Sequence, residues 1–187
     1  MRIIGGRLRG RKLQTFKGSD VRPTADRVRE ALFNILGSKF KNANVLDLFA
    51  GTGALGIEAL SRGARTAVFV DNSAHSLDVL RKNLDRCALQ HCTQTIRWDI
   101  ERSLACLKGY PMAFDLVFMD PPYNRGLVPT TLQHLMDSEC LASEAFLAAE
   151  HEAGMKPEPP PLFACADQRR YGRTALSFFT FLNPLAR

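Results

Sequence analysis

At 187 residues, 45% hydrophobic and 24% charged, the chain has the length and composition of one globular domain with a substantial core. It carries no apolar run near the roughly 18 residues of a membrane span. Residues 1–10 lack the apolar stretch of a secretory signal, and Gly5, Gly6 and Gly10 would break an amphipathic transit helix.

The net charge of +6 is uneven. Residues 1–41 hold eleven Lys and Arg against three Asp and Glu, so the remainder is slightly acidic. A basic arm on a near-neutral body suits a polyanion-binding protein, since phosphate contacts supply steering and affinity. A solvated basic tail is the alternative, and the interleaved Ile3, Ile4, Leu8 and Leu13 argue against it. The five cysteines form no Cys-x-x-Cys, which points to a reduced, cytoplasmic compartment. Cys87, His91 and Cys92 cluster without zinc spacing, and His75, His134 and His151 form no ligand or triad pattern, so no metal is expected.

In chain order, residues 2–16 read as a short β-hairpin or arm turning at Gly5-Gly6. Thr24 is a candidate N-cap for a helix to Leu36 that Gly37 would end. Val28, Ala31, Leu32, Ile35 and Leu36 form its apolar face, leaving Arg22, Arg27, Arg29 and Asn34 to solvent, cofactor or RNA. Strands then follow over residues 45–49, 66–70, 93–98, 114–119 and 145–150. Helices over 54–62, 73–88, 100–108 and 127–137 alternate with them, and residues 169–171 and 174–181 form a closing hairpin around Gly172. This alternation predicts an α/β fold with a mostly parallel sheet and helices on both faces. Ligands in such sheets bind at the carboxyl ends of the strands, where Asp47, Asp71, Asp99 and Asp120 fall.

Two motifs carry chemistry. The first strand runs through Asp47, Phe49 and Ala50 into Gly51-x-Gly53-x-x-Gly56 and a helix. Such a loop lets a ligand approach the backbone above a helix N-terminus, and by itself it allows a nicotinamide dinucleotide. Asp71, at the end of the next strand, could hold ribose hydroxyls of either cofactor. Asp47 favours an ammonium or sulfonium group over a pyrophosphate. The second motif, Asp120-Pro121-Pro122-Tyr123, places a carboxylate, a free carbonyl and an aromatic ring at the lip of the sheet, stiffened by prolines. That array suits a planar molecule with an exocyclic amine.

The pair of motifs resembles the class I S-adenosylmethionine-dependent methyltransferases that act on amines conjugated to a planar system. With Arg22-Pro23-Thr24-Ala25-Asp26-Arg27-Val28-Arg29-Glu30-Ala31-Leu32-Phe33-Asn34-Ile35-Leu36 and Tyr171-Gly172-Arg173-Thr174, the chain resembles more narrowly the bacterial 16S ribosomal RNA guanine-N2 methyltransferase family, RsmD. The resemblance implies a Rossmann-like, seven-stranded methyltransferase domain over residues 21–187 behind a basic arm over residues 1–20. The expected methyl donor is S-adenosylmethionine and the expected partner 16S ribosomal RNA of the small subunit, with a monomer, no metal and no membrane. The implied cofactor contacts are Asp47, Phe49, Ala50, Gly51, Gly53, Asp71, Asn72, Asp99 and Ile100. Asp120, Pro121, Pro122 and Tyr123 would hold the acceptor base, and Arg7, Arg9, Arg11, Lys12, Arg22, Arg27 and Arg29 would hold RNA. Each acidic residue could instead cap the helix that follows it, Asp99 above all. An N6-adenine methyltransferase on DNA or RNA would share the Asp-Pro-Pro-Tyr chemistry. A non-enzymatic RNA-binding or ribosome-assembly protein would leave both motifs idle.

Overall fold

The computed structural model describes residues 1–16, 23–123 and 125–182. Arg22 and Lys17, and with them the expected boundary between arm and domain, lie outside the described residues. The helices are α1 (Pro23–Leu36), α2 (Ala54–Ser61), α3 (Ala74–Cys87) and α4 (Leu127–Ser138). The strands are β1 (Asn44–Leu48), β2 (Thr66–Asp71), β3 (Thr93–Arg97), β4 (Phe114–Met119), β5 (Leu141–Glu152), β6 (Phe163–Tyr171) and β7 (Thr174–Phe181). They form one sheet in the order β3-β2-β1-β4-β5-β7-β6. β1 to β5 pair in parallel, and β7 runs antiparallel between β5 and β6. This is the class I methyltransferase fold. Among the described residues no helix is long and apolar enough to cross a membrane.

The inner strands β1, β2 and β4 are buried on both faces and read as near-continuous apolar runs, while the edge strands β3 and β6 are more polar and exposed. Alternation divides them between two cores. Val45, Phe69, Leu116, Phe118 and Phe178 pack with Val28, Leu32 and Phe33 of α1, Ile57 and Leu60 of α2, and Leu77, Leu80 and Leu84 of α3. Leu46, Leu48, Val68, Val70, Val117, Met119 and Phe179 face the opposite way, onto Leu104, Leu107 and Val128, Leu132 and Leu135 of α4.

The structure departs from the sequence expectations at several places, and the closing hairpin expected from residue 169 already begins at Phe163. Helix α1 begins at Pro23, whose fixed φ and missing N–H suit a first helical position, so Thr24 lies inside the helix. No helix forms over residues 100–108, only a 3-10 turn at Ala105–Leu107. There the Trp98 indole N–H takes the Ser103 carbonyl at 3.0 Å, while Leu107 N–H turns back to Leu104 O at 2.9 Å. The arm makes a single antiparallel bridge, Arg2 with Lys12, in place of a regular hairpin.

The arm is fastened to the body through buried groups. Both oxygens of buried Glu58 accept arm N–H groups, from Ile4 at 2.8 Å and Gly5 at 2.7 Å, and the carboxylate also pairs with Arg62. Gly6 sits at φ 75° so close to the Ser61 carbonyl that a Cβ would meet its oxygen at 1.9 Å, a place only glycine can occupy. Ile3, Leu8 and Leu13 enter the same core as α1, α2 and α3.

Candidate active site

The glycine loop is shaped by contacts beneath it. Phe49 takes the left-handed region at φ 56°, a strain of about 1–3 kcal/mol for a bulky residue, and Ala50 N–H is held by Val70 O at 3.1 Å. Gly53 and Gly56 are required by packing. A Cβ on Gly53 would meet Leu80 at 2.2 Å, and one on Gly56 would meet the Phe69 ring at 2.4 Å. Gly51 differs, since at φ 53° its missing side chain faces open space with no atom nearer than Phe49 O at 3.9 Å.

Asp47 is 2% exposed, and its Oδ2 accepts Gly56 N–H at 2.9 Å. Burial pushes its pKa up to about 8, opposed by that hydrogen bond and helped by the charge of Asp71. Asp71 ties the loop to its neighbour. Oδ2 accepts Gly51 N–H and Oδ1 accepts Ser73 N–H, both at 2.8 Å. Each oxygen keeps a further lone pair, and Asp71 lines the larger cavity beside the loop.

Two cavities flank this loop. One, of about 540 Å³, is lined by Phe49, Asp71, Asn72, Ser73, Ser76, Ile100, Glu101 and the Asp120–Tyr123 lip. The other, of about 260 Å³, runs under α1 and is lined by Val28, Arg29, Leu32, Asp47, Ala50, Gly51 and Thr52. Phe49, Asp120 and Glu150 line both, so the cavities meet at these three residues. Gly53 does not line either cavity. Asp99 lies apart, in a depression with Asn72 and Trp98, where its oxygens accept Glu101 N–H at 3.2 Å and pair with Arg102 at 3.1 Å. It stabilises the turn before Ala105, and Ile100 is the residue of that pair that reaches the large cavity.

At the lip, Pro121 is buried while the Tyr123 ring is 41% exposed. The Tyr123 hydroxyl donates to Glu150 Oε1 at 2.7 Å and lies 3.0 Å from Thr174 Oγ1. The hydroxyl is therefore structural, not spare to a ring that only stacks. Asp120 is exposed at the mouth of the cleft. Loss of hydration beside the packed sheet, and after it the charges of Glu150 and Asp47, still raise its pKa well above its ordinary value. Burial also raises Glu150, against the hydrogen bond from Tyr123. Glu150 is a further acid at this junction, outside both sequence motifs. Like Asp47, Asp71 and Asp120 it lies at or near the carboxyl end of an apolar strand.

The candidate RNA residues divide. Arg7, Arg9, Arg11, Lys12 and Arg27 are exposed. Arg29 is only 5% exposed, so its placement among phosphate-binding side chains is corrected by its burial. It precedes Phe33 and Leu36 along the buried side of α1 at helical spacing, which puts its side chain on the core side of the helix. Its Nη2 donates to Arg2 O at 2.7 Å and Asp26 Oδ1 at 3.1 Å, and its buried Nε has no hydrogen-bond partner among the described residues.

Comparison with known proteins agrees with this geometry. A family model described as "Conserved hypothetical protein 95" matches residues 1–180. The chain is 43% identical over 152 residues to Ribosomal RNA small subunit methyltransferase D of Escherichia coli K12, covering 81% of this chain and 75% of that protein. The corresponding protein of Haemophilus influenzae is 37% identical over 155 residues, covering 81% and 79%. Among solved structures, yhhF of Escherichia coli superposes with a TM-score of 0.85 at 36% identity, over 97% of this chain and 98% of that one. From the sheet order, the two cavities meeting at Asp120 and these matches together, the chain belongs to the ribosomal RNA small subunit methyltransferase D family.

Proposed function

We propose that the chain transfers a methyl group from S-adenosylmethionine to the exocyclic N2 amine of a guanine in small-subunit ribosomal RNA. The observation that carries this reading is the meeting of two cavities at Asp120, one bordered by the glycine loop and the other by Asp71 and the Asp-Pro-Pro-Tyr lip. The residues fit the donor. Gly51 leaves its backbone open, Asp47 offers a buried acid, and Arg29 lines the same cavity with its buried Nε unpaired among the described residues. When bound, S-adenosylmethionine supplies an electrophilic methyl group on a sulfonium.

The roles assigned, that of Arg29 apart, are those that the family resemblance implies, on residues that line the two cavities. Asp71 and Asn72 take the ribose, with Ile100 beside the adenine. Asp47 faces the amino group, and Arg29 with the Gly51–Thr52 backbone takes the carboxylate. Asp120 and the Pro121 carbonyl accept the hydrogens of the acceptor amine, whose lone pair is otherwise delocalised into the base, and aim that lone pair at the methyl. A nearby cation favours the ionised form of Asp120, which accepts more strongly. Tyr123 offers its ring to a base unstacked from its RNA neighbours. Positioning and charge placement then supply most of the acceleration. Exposed Arg7, Arg9, Arg11, Lys12 and Arg27 are assigned to phosphates, with residues 1–20 as the RNA-contacting arm.

The test is transfer of labelled methyl from S-adenosylmethionine to small-subunit RNA or particles, followed by digestion to nucleosides. Label in N2-methylguanosine is expected. Label in N6-methyladenosine, or no transfer with either substrate, would overturn the reading.

A further inference from the structure

We propose that Glu150 reads the N1–H of the target guanine, so that Asp120 and Glu150 together select the base by its contiguous row of donors. The inference rests on the guanine-N2 reading above and adds to it the residue that sets base choice.

The geometry begins with register. β4 and β5 are parallel neighbours with Met119 opposite Ala149, which brings the next residues, Asp120 and Glu150, side by side where β4 ends and β5 continues to Glu152. Both line both cavities, at the junction assigned to methyl transfer. Among the described residues neither forms an ion pair. Glu150 is nonetheless held in place, because Oε1 accepts the Tyr123 hydroxyl at 2.7 Å and Thr174 lies against that hydroxyl at 3.0 Å. Oε2 has no hydrogen-bond partner among the described residues and remains available to an occupant of the cleft.

Two adjacent acidic groups with no cationic side chain paired to them repel each other, and an occupant of the cleft that brings donors relieves this. An exocyclic amine alone uses only Asp120 and the Pro121 carbonyl. Guanine presents its 2-amine beside N1–H, three N–H donors in a row. Adenine and cytosine each place a ring-nitrogen acceptor next to the amine, where a second carboxylate would face a lone pair. A neighbouring carboxylate is therefore superfluous for those bases and repels them, while for guanine it completes the edge. Selectivity of this kind comes from leaving buried polar groups unpaired with the wrong partner.

The experiment uses 2-aminopurine, which keeps the 2-amine but carries an N1 lone pair in place of N1–H. An RNA substrate is prepared with either guanine or 2-aminopurine at the mapped target position, and kcat/KM is measured for the parent and Glu150→Gln. The parent should prefer guanine by about 10- to 100-fold, the discrimination typical of a well-placed base-edge contact. Glu150→Gln offers an amide that can donate to the N1 lone pair, and its preference should fall to within about threefold. Loss of O6 in the analogue is common to both proteins, so the change between them isolates Glu150. Equilibrium affinity for the two RNAs gives the same ratio if the variant has no turnover. Equal use of both RNAs by the parent, or an unchanged preference in Glu150→Gln, overturns the proposal. No N2 methylation of the guanine RNA by the parent would instead overturn the reaction assigned above, and this inference with it.

Discussion

Arg29 donates its guanidinium Nη2 to the backbone carbonyl of Arg2 at 2.7 Å, which joins the basic arm to the helix that roofs the smaller cavity. One side chain thus touches the arm, the acidic first turn of α1 through Asp26, and the space beside the glycine loop. Such a residue is better suited to the amino-acid end of the cofactor than to RNA phosphates.

Arg29→Ala should weaken S-adenosylmethionine binding by roughly 10- to 100-fold, the loss expected for a charge-assisted hydrogen bond. Affinity for methylthioadenosine, which lacks the amino-acid end, should be unchanged. Calorimetry with the two ligands checks this, and equal losses for both would remove Arg29 from the carboxylate.

Tyr123→Phe keeps the ring but frees Glu150 from its hydroxyl partner. Its kcat/KM should fall about 10-fold, the typical cost of leaving a partly buried group unpaired. Tyr123→Ala should fall further, because the stacking face goes as well. Parent-like activity in Tyr123→Phe would show that the hydroxyl contact serves neither position nor chemistry.

Asp47 gives a pH dependence with a defined sign. Its pKa is about 8 in the fold against an ordinary 3.8, so the folded state holds a proton that the unfolded chain has lost over that interval. The stability from this group is complete below pH ~4 and is lost as pH rises toward 8, at up to ~1.4 kcal/mol per unit. Asp120 and Glu150 are shifted in the same direction. Asp47→Asn, still able to accept Gly56 N–H, should reduce the fall in stability between pH 5 and pH 8. Denaturant midpoints at the two values provide the measurement, and an identical fall in parent and variant would place the proton elsewhere.

Replacing Arg7, Arg9, Arg11 and Lys12 with Ala should weaken RNA binding and flatten its salt dependence. Each lost phosphate contact should change the log–log slope by roughly 0.7 to 0.9. Affinity for S-adenosylmethionine should be retained, because the arm stays attached through Glu58, Ser61 and its buried Ile3, Leu8 and Leu13 when the Arg11 hydrogen bond to Arg86 O is lost. A salt titration beside a cofactor titration on the same variant distinguishes a phosphate grip from a structural effect.

By itself the sequence determined the alternation of strands and helices, because inner strands buried on both faces must be written as short apolar runs between amphipathic helices. It also determined the glycine loop and the row of acids at strand ends, since both are local consequences of where each strand stops. The side-by-side placement of Asp120 and Glu150 was decided only when β5 took its register against β4. The same holds for the burial of Arg29 beneath the arm and the anchoring of that arm on Glu58, which join residues far apart in the chain. Asp99 and the segment after it were decided by competition for hydrogen bonds, the Trp98 indole taking the carbonyl that a helix would have needed. Local pattern fixes which groups lie at a strand end. Which of them face one another, and which are left with an unused donor or acceptor, follows from packing between distant segments and has no local signature.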